Sequence, residues 1–305
     1  MLNFMAKRLF VAALVAVTVS VIAFSLLRLS GDLATMIAGE DASAQDIELI
    51  REQYGLNKAY YLQYLDWLGA GFQGDLGESM FYPEEVTALI KDRLPNTLTL
   101  AGLGVLFAMG LAIPMGVIAA LRPDSWVDRT ALTIAVLGQA LPGFWFALML
   151  MFVFGLFLRW LPISGNETLA HFILPAISLG YYSTPAVMRL TRTGMLEVLN
   201  SDYIRTAHAK GLPTFIILFK HALRNAIIPV VALSSVQFGN MLGGSVVTET
   251  VFQIQGIGHL AWESISRNDF PVVQAVLLLV ACFYIVLVLL GDLLNAWLDP
   301  RLRVT

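Results

Sequence analysis

The sequence of 305 residues predicts an all-α integral membrane protein with six transmembrane helices, and three observations carry that prediction. Hydrophobic residues make up 57% of the chain and charged residues 13%, against about 45–50% and about 25% in soluble domains. A compact soluble globule has no way to hide that much apolar surface beneath a charged exterior. Six stretches of at least 18 residues contain no Asp, Glu, Lys or Arg. The basic residues, finally, concentrate on alternate connecting segments, as the positive-inside rule requires of a multi-pass chain.

The six charge-free stretches are 9–27, 97–121, 130–158, 168–188, 225–248 and 270–291, with lengths of 19 to 29 residues. A helix needs about 20 residues to cross the hydrocarbon. A charge at mid-bilayer costs ~2.5–3.5 kcal/mol even on the lenient insertion scale. Backbone polar groups in lipid have to be satisfied within their own segment, so these stretches are expected to be helices. The first follows Lys7-Arg8 and has a rival reading as a cleaved signal peptide. Its length exceeds a signal h-region of about 7–15 residues, and no small-x-small cleavage site follows, so a retained helix is expected.

Six spans place both termini on one side. That side holds segments 1–8, 122–129, 189–224 and 292–305, which carry 12 Lys and Arg. The other side holds 28–96, 159–167 and 249–269. Without the first of these, which is too long to count, it carries 2. Both termini are therefore expected in the cytoplasm. The 28–96 segment is expected outside, and it is acidic, with 12 Asp and Glu against 5 Lys and Arg.

Small residues mark packing faces. The second span carries Gly104, Ala108, Ala112, Gly116 and Ala120 at four-residue spacing, and the fifth repeats the device with Ser235, Gly239 and Gly243. Such stripes let helices approach closely where lipid supplies no hydrophobic drive to association. They fit packing within the chain, or packing of one stripe against a second copy of such a subunit. Pro114 and Pro142 lie inside spans and are expected to kink them. Pro142 follows Gln139, and this polar, broken turn either lines a cavity or is a packed kink. Gln237 and Asn240 lie in the fifth span, where uncharged polar groups face protein or a water-filled path rather than lipid.

The most informative segment is 189–224, too long for a simple turn and carrying a net charge of +4. Ser201 is placed to cap a short helix running from Asp202 through Tyr203, Arg205 and Ala207 to Lys210. Asp202 suits the positive end of its dipole and Lys210 the negative end. Gly211 suits the left-handed position that closes a helix, and Pro213 prevents its resumption. Phe215, Leu218, Phe219 and Ala222 then fall on one helical face. A basic loop resting on anionic membrane lipid would need only the charge. Stop signals at both ends and a second apolar face point instead to a rigid element that enters a groove on a partner.

The run Ser201-Asp202-Tyr203-Ile204-Arg205-Thr206-Ala207-His208-Ala209-Lys210-Gly211-Leu212, followed by His221-Ala222-Leu223-Arg224-Asn225-Ala226-Ile227-Ile228-Pro229, resembles the coupling loop of bacterial peptide-type ABC importer permeases. These are the inner-membrane subunits of dipeptide, oligopeptide, nickel and glutathione uptake systems. Gly74-Asp75-Leu76-Gly77, Arg93-Leu94-Pro95-Asn96-Thr97-Leu98, Gly243-Gly244-Ser245-Val246-Val247-Thr248-Glu249 and Leu298-Asp299-Pro300-Arg301 extend the likeness along the chain. Arg205 and Thr206 stand where the general importer pattern has Glu and Ala. Ser30-Gly31-Asp32-Leu33 and Gln255-Gly256-Ile257-Gly258 lack prolines common in the family.

The resemblance implies a type I importer permease fold. Its parts are an N-terminal transmembrane helix at 1–29, an external segment at 30–93, a permease core at 94–295 and a cytoplasmic tail at 296–305. It implies that Ser201, Asp202, Tyr203, Arg205, Ala207, Lys210 and Gly211 couple the chain to an ATPase. It implies four partners: a second homologous permease, two ATPase subunits and an external solute-binding protein. ATP and Mg would then be held by the ATPase subunits and no cofactor by this chain. The expected cargo is a short peptide, with nickel, glutathione or another small solute as the alternative within the same class.

Other classes fare worse. The chain has no Gly-Lys dipeptide and so no G-x-x-x-x-G-K-[ST] phosphate-binding loop. Its four histidines are scattered, and no metal site is expected. The 19 Lys and Arg against 22 Asp and Glu leave no basic excess for nucleic acid. Cys282, the only cysteine, excludes disulfides within the chain. An intramembrane protease lacks its constellation. A self-sufficient channel would need no coupling loop.

Overall fold

A computed structural model describes residues 2–29, 31–39 and 42–298, so most of the tail at 296–305 lies outside the described residues. No strand forms among them; the only sheet-like pairing is an isolated antiparallel bridge between Glu78 and Glu85.

The chain opens with α1 (Leu2–Leu29), followed by three short helices in the external segment: α2 (Leu33–Ala38), α3 (Ala44–Gln53) and α4 (Tyr60–Phe72). Asp32 caps α2 by accepting from the Ala34 N–H at 3.2 Å, and Ser43 with Asp46 forms a reciprocal capping box on α3. Helix α4 returns to α1. Phe24, fully buried, is enclosed by Tyr60, Tyr64 and Trp67 at centroid distances of 5.4, 5.4 and 5.7 Å. The acidic segment is thereby anchored to the first span.

Helix α5 (Val86–Leu121) runs 36 residues without interruption through Pro95 and Pro114, so it is about 54 Å long and overreaches the hydrocarbon. The next expected span is not one rod. Helix α6 (Trp126–Ala140) stops at Leu141-Pro142, and α7 (Gly143–Leu150) continues as π-helical turns over Met151–Phe157. The two halves are bent by 104°. Pro142 caps α7 and has no N–H with which to continue α6. Helix α8 (Ile173–Leu199) follows, 27 residues long, then α9 (Asp202–Ala209). Next come α10 (Thr214–Ile216), a π-helical stretch at Ile217–Ala222, and α11 (Leu223–Ala226). Helix α12 (Ile228–Phe252), with Pro229 in its first turn, leads to α13 (Ile257–Ser266) and α14 (Phe270–Leu298).

Helices α1, α5, α12 and α14 are long and apolar enough to cross a membrane, and the α6–α7 pair makes a fifth span if counted as one. Helix α8 matches the fourth expected span, 168–188, in length but not in hydropathy. Its surroundings supply the reason. Ser178, Ser183, Thr184 and Thr191 are buried, and the hydroxyls of Thr184 and Thr191 bond back to the carbonyls of Gly180 and Val187. Helix α8 is wrapped by α5, α6, α7 and α12, so protein rather than lipid meets its polar groups.

Both small-residue stripes pack within the chain. The α5 stripe receives α8. A Cβ on Gly116 would lie 2.8 Å from the Met188 carbonyl oxygen, and one on Gly180 would run into the Gly104 carbonyl. The α12 stripe receives α14, since a Cβ on Gly239 would lie 2.8 Å from the Tyr284 ring and Gly291 opposes Ser235.

Candidate functional site

Helix α9 sits where the sequence predicts it, but the two ends differ in how they are made. Ser201 holds the N-cap position with extended backbone, and its carbonyl accepts from the Ile204 and Arg205 N–H groups. Its hydroxyl does not cap α9. It donates back to the Val198 carbonyl at 2.5 Å, closing the last turn of α8. The side-chain capping expected of Ser201 is thus corrected: the residue ties α9 to α8 instead. The C-terminus is as expected. Gly211 has φ +72, its N–H donates to His208 O at 2.9 Å, and Leu212 N–H donates to Ala207 O at 3.3 Å. This pair of bonds is a Schellman closure.

The helix is held from below by apolar packing. Ile204 and Ala207 are buried in one cluster with Val117 and Ala120 of α5, Met195 of α8, Ile217 and Ala222 of the π-helical stretch, and Ala226. Leu212 packs on the same cluster. The face turned away from it is exposed: Asp202 and Arg205 pair with each other in solvent, and Lys210 stands free of the core. Tyr203 is half-exposed and its hydroxyl accepts from Asn225 Nδ2 at 2.8 Å. The arrangement is a short lever with a greased underside and a polar outer face, seated on the ends of α5 and α8.

One ion pair braces the same end of the bundle. Arg192 of α8 donates through Nε and Nη2 to the two oxygens of Asp128 on α6, at 2.7 and 2.6 Å. Asp128 is only 2% exposed and also accepts from the Asp124 N–H at 3.0 Å. Sequence reading missed it. The Ser125-x-x-Asp128 spacing is a legible helix start, but its partner lies 64 residues away.

Deeper in the bundle, a cavity of about 360 Å³ lies between α7, α8 and α12. Gln237 and Asn240 line it, joined by a 3.1 Å hydrogen bond, together with Ser178, Tyr182 and Ser183 of α8. Gly143 and Phe144, just after Pro142, form its other wall, so the broken turn opens beside the cavity. Gln139 is exposed and not part of this lining. Gly239 and Gly243 face the α14 side, Gly239 closely against Tyr284. Of the residues proposed for pathway or packing, Gln237 and Asn240 therefore belong with Pro142, and the two glycines with α14.

At the opposite end of the bundle a second missed residue fastens α13. Glu249, fully buried, accepts from Thr97 Oγ1 at 2.8 Å and from the His259 N–H at 2.9 Å. Thr97 Oγ1 in turn accepts from the Ile257 N–H at 2.7 Å. The first turn of α13 requires glycine at 258, because a Cβ there would lie 2.7 Å from Val246 Cα. The neighbouring hairpin, closed by the Glu78–Glu85 bridge, docks on α13 through Tyr82, whose hydroxyl donates to Glu263 Oε2 at 2.8 Å, and on the turn after α13 through Ser79 and Met80, which donate to Asp269. Burial and the Glu263 carboxylate raise the Tyr82 phenol above its ordinary value. Among the described residues, no group of three or more His, Cys, Asp or Glu is placed to hold a metal.

Comparison with known proteins agrees with this architecture. Residues 112–304 match the family described as "Binding-protein-dependent transport system inner membrane component", and residues 1–101 match its N-terminal companion family. The glutathione transport system permease protein GsiC of Escherichia coli (strain K12) is 40% identical over 304 residues, covering 99% of both chains. The probable peptide ABC transporter permease protein y4tP of Sinorhizobium fredii is 38% identical over 306 residues, covering 97% of this chain and 98% of its own. Among solved structures, the inward-facing MetNI methionine ABC transporter shares the fold with a TM-score of 0.58 at 18% identity, over 69% of this chain and 96% of its own.

The protein is thus a multi-pass inner-membrane permease of an ATP-driven importer, a mover of solute rather than a catalyst. It belongs to the family of inner membrane components of binding-protein-dependent transport systems. Membership implies an ATPase and a substrate-binding protein as working partners.

Proposed function

We propose that this chain forms one half of a gated pathway for short peptides, paired with a second homologous permease and driven by two ATPase subunits. The observation that carries the mechanism is the sealing of α9 onto the ends of α5 and α8 by Ile204 and Ala207. A lever packed this way transmits displacement instead of flexing, because close-packed interiors pass strain on. Closure of the ATPase pair would push the outer face of α9, carrying Tyr203, Arg205 and Lys210, and swing the α5–α8 ends with it. ATP and Mg stay with the ATPases in this reading.

The 12-to-2 distribution of basic residues supports a cytoplasmic position for α9 and for both termini. The acidic external segment then faces the solute-binding protein. Two relatives named for glutathione and peptide transport support a peptide cargo. So does the cavity: Gln237, Asn240, Ser178 and Ser183 offer uncharged hydrogen-bonding groups suited to amides of any sequence.

The test is Gly211→Pro alongside Gly211→Ala in cells carrying the whole transporter. Proline has no N–H for His208 and cannot adopt φ +72. Peptide uptake is expected to fall at least about ten-fold with membrane insertion intact, corresponding to loss of roughly 1.4 kcal/mol or more of coupling. Alanine costs about 1–2 kcal/mol of backbone strain in the left-handed region and is expected to retain most uptake, since no atom lies within 4 Å of its Cβ. Normal uptake with proline at 211 sinks the coupling assignment.

A further inference from the structure

We propose that the seam between α1 and α14 is a binding site for one amine-bearing phospholipid, its phosphate on Arg28 and one acyl chain laid between the two helices. The site has a polar head and an apolar body, stacked on the same pair of helices.

The head is a cleft of about 390 Å³ at the end of α1 and the start of α14, bordered by Arg28, Trp67, Asp75, Glu78 and Gln274. Arg28 is half-buried. Its Nε donates to Gln63 Oε1 at 3.0 Å, its Nη1 donates to the Phe24 carbonyl at 3.5 Å and its guanidinium lies 3.5 Å over the Phe24 ring, and no carboxylate pairs with it among the described residues. Gln274 is only 6% exposed, and its Nε2 has no hydrogen-bond partner. A buried donor left unpaired costs about 1–3 kcal/mol, so an acceptor in the cleft would be favoured. One guanidinium with two carboxylates fits a headgroup that carries both a phosphate and an ammonium. An anionic headgroup would leave Asp75 and Glu78 facing further negative charge.

The body is an apolar groove of about 430 Å³ directly inward, lined by Val19, Ile22 and Ala23 of α1 and Leu277, Val280 and Ala281 of α14. Gly243 adds no side chain to fill it. Gln274, Leu277, Ala281 and Ile285 fall on one face of α14 at i, i+3, i+7 and i+11, so the donor stands at the top of the apolar stripe. From Gln274 to Ile285 that stripe is about 16 Å long, close to the ~15 Å of one leaflet's hydrocarbon. Tyr60, Tyr64 and Trp67 surround the head end, as aromatic residues do at a membrane–water interface. In the orientation proposed above, this is the outer leaflet.

The test uses the intact transporter with its partner subunits in nanodiscs of phosphatidylethanolamine and phosphatidylglycerol. A sub-saturating phosphatidylethanolamine probe carries a diazirine on one acyl chain. Both leaflets carry the probe, so the readout depends on neither orientation nor cargo. Labelling is expected to concentrate at 277–285 and 15–23, several-fold above the exposed π-helical turns at Phe152 and Phe157. Arg28→Gln is expected to lower it about ten-fold, the loss of a charge-assisted hydrogen bond. Ala281→Phe, which fills the groove and leaves Arg28 intact, is expected to lower it as far. Labelling no higher than at Phe152 and Phe157, labelling indifferent to both variants, or equal labelling by a phosphatidylglycerol probe would overturn the proposal. Capture of another protein subunit by a photo-reactive residue at position 277 would overturn it as well.

Discussion

Replacing Arg192 by Gln tests the brace that joins α6 to α8 beside the lever. The wild-type pair is bidentate at 2.7 and 2.6 Å, with Asp128 2% exposed and about a fifth of the Arg192 side chain in solvent. Removing the guanidinium leaves a buried carboxylate still accepting from the Asp124 N–H at 3.0 Å. Breaking a buried pair from one side costs about 3–5 kcal/mol, and the partial exposure of Arg192 places this case at roughly 3. Asp128→Asn alone should cost less, because the neutral amide is cheaper to bury than an orphaned charge. The double variant should recover part of the loss, giving a coupling energy within about 0.5–3 kcal/mol. The assay is denaturation of the purified transporter, with ATP hydrolysed per solute moved as the functional readout. Arg192→Gln should lower both stability and coupling. Strict additivity of the two single variants would refute the reasoning.

Four further outcomes are expected. Ser201→Ala should cost about 0.5 kcal/mol or less, below the ~1 of a true N-cap, because its hydroxyl serves the end of α8; chemical denaturation measures it. Gly180→Ala should block assembly of α5 against α8, as the added methyl meets the Gly104 carbonyl, and the readout is the yield of folded protein. Glu249→Ala should strip Thr97 and the His259 N–H of their shared acceptor, a loss of about 2–3 kcal/mol, and expose the 253–258 turn to protease. The raised Tyr82 phenol stabilises the hairpin fully below about pH 10 and progressively less as pH climbs through its folded value, so proteolysis at 74–85 should rise only in strong alkali and Tyr82→Phe should remove that dependence.

The sequence made the spans legible because membrane crossing forbids charge, and that prohibition is local. The C-terminal end of α9 was legible for the same reason: Gly211 and Pro213 act on their own backbone. What the sequence hid was relational. Pro142 announces a break but not an angle of 104°, which depends on where α7 packs. Helix α8 reads as a lipid-facing span until its neighbours are known, since a buried Thr184 and a lipid-exposed one look alike in sequence. The two small-residue stripes suited either an internal or an external helix, and only the placement of α8 and α14 decides. The anchoring roles of Asp128 and Glu249 stayed hidden, because their partners lie 64 and 152 residues away. The short helices α2 to α4 and α13 escaped notice because span-finding by charge is blind in charged segments.

The central claim is that α9 moves as one body with the ends of α5 and α8. Spin labels at His208 and Arg122, with Cys282 replaced by Ser, read that distance by pulsed electron resonance in the assembled transporter, with and without ATP. A third label on the equivalent lever of the proposed second permease reads the separation of the two levers. The account predicts that the 208–122 distance holds within about 2 Å while the levers approach each other by more than that, as rigid elements do in switching transitions. A 208–122 distance that follows the nucleotide state, with the levers fixed, would contradict it.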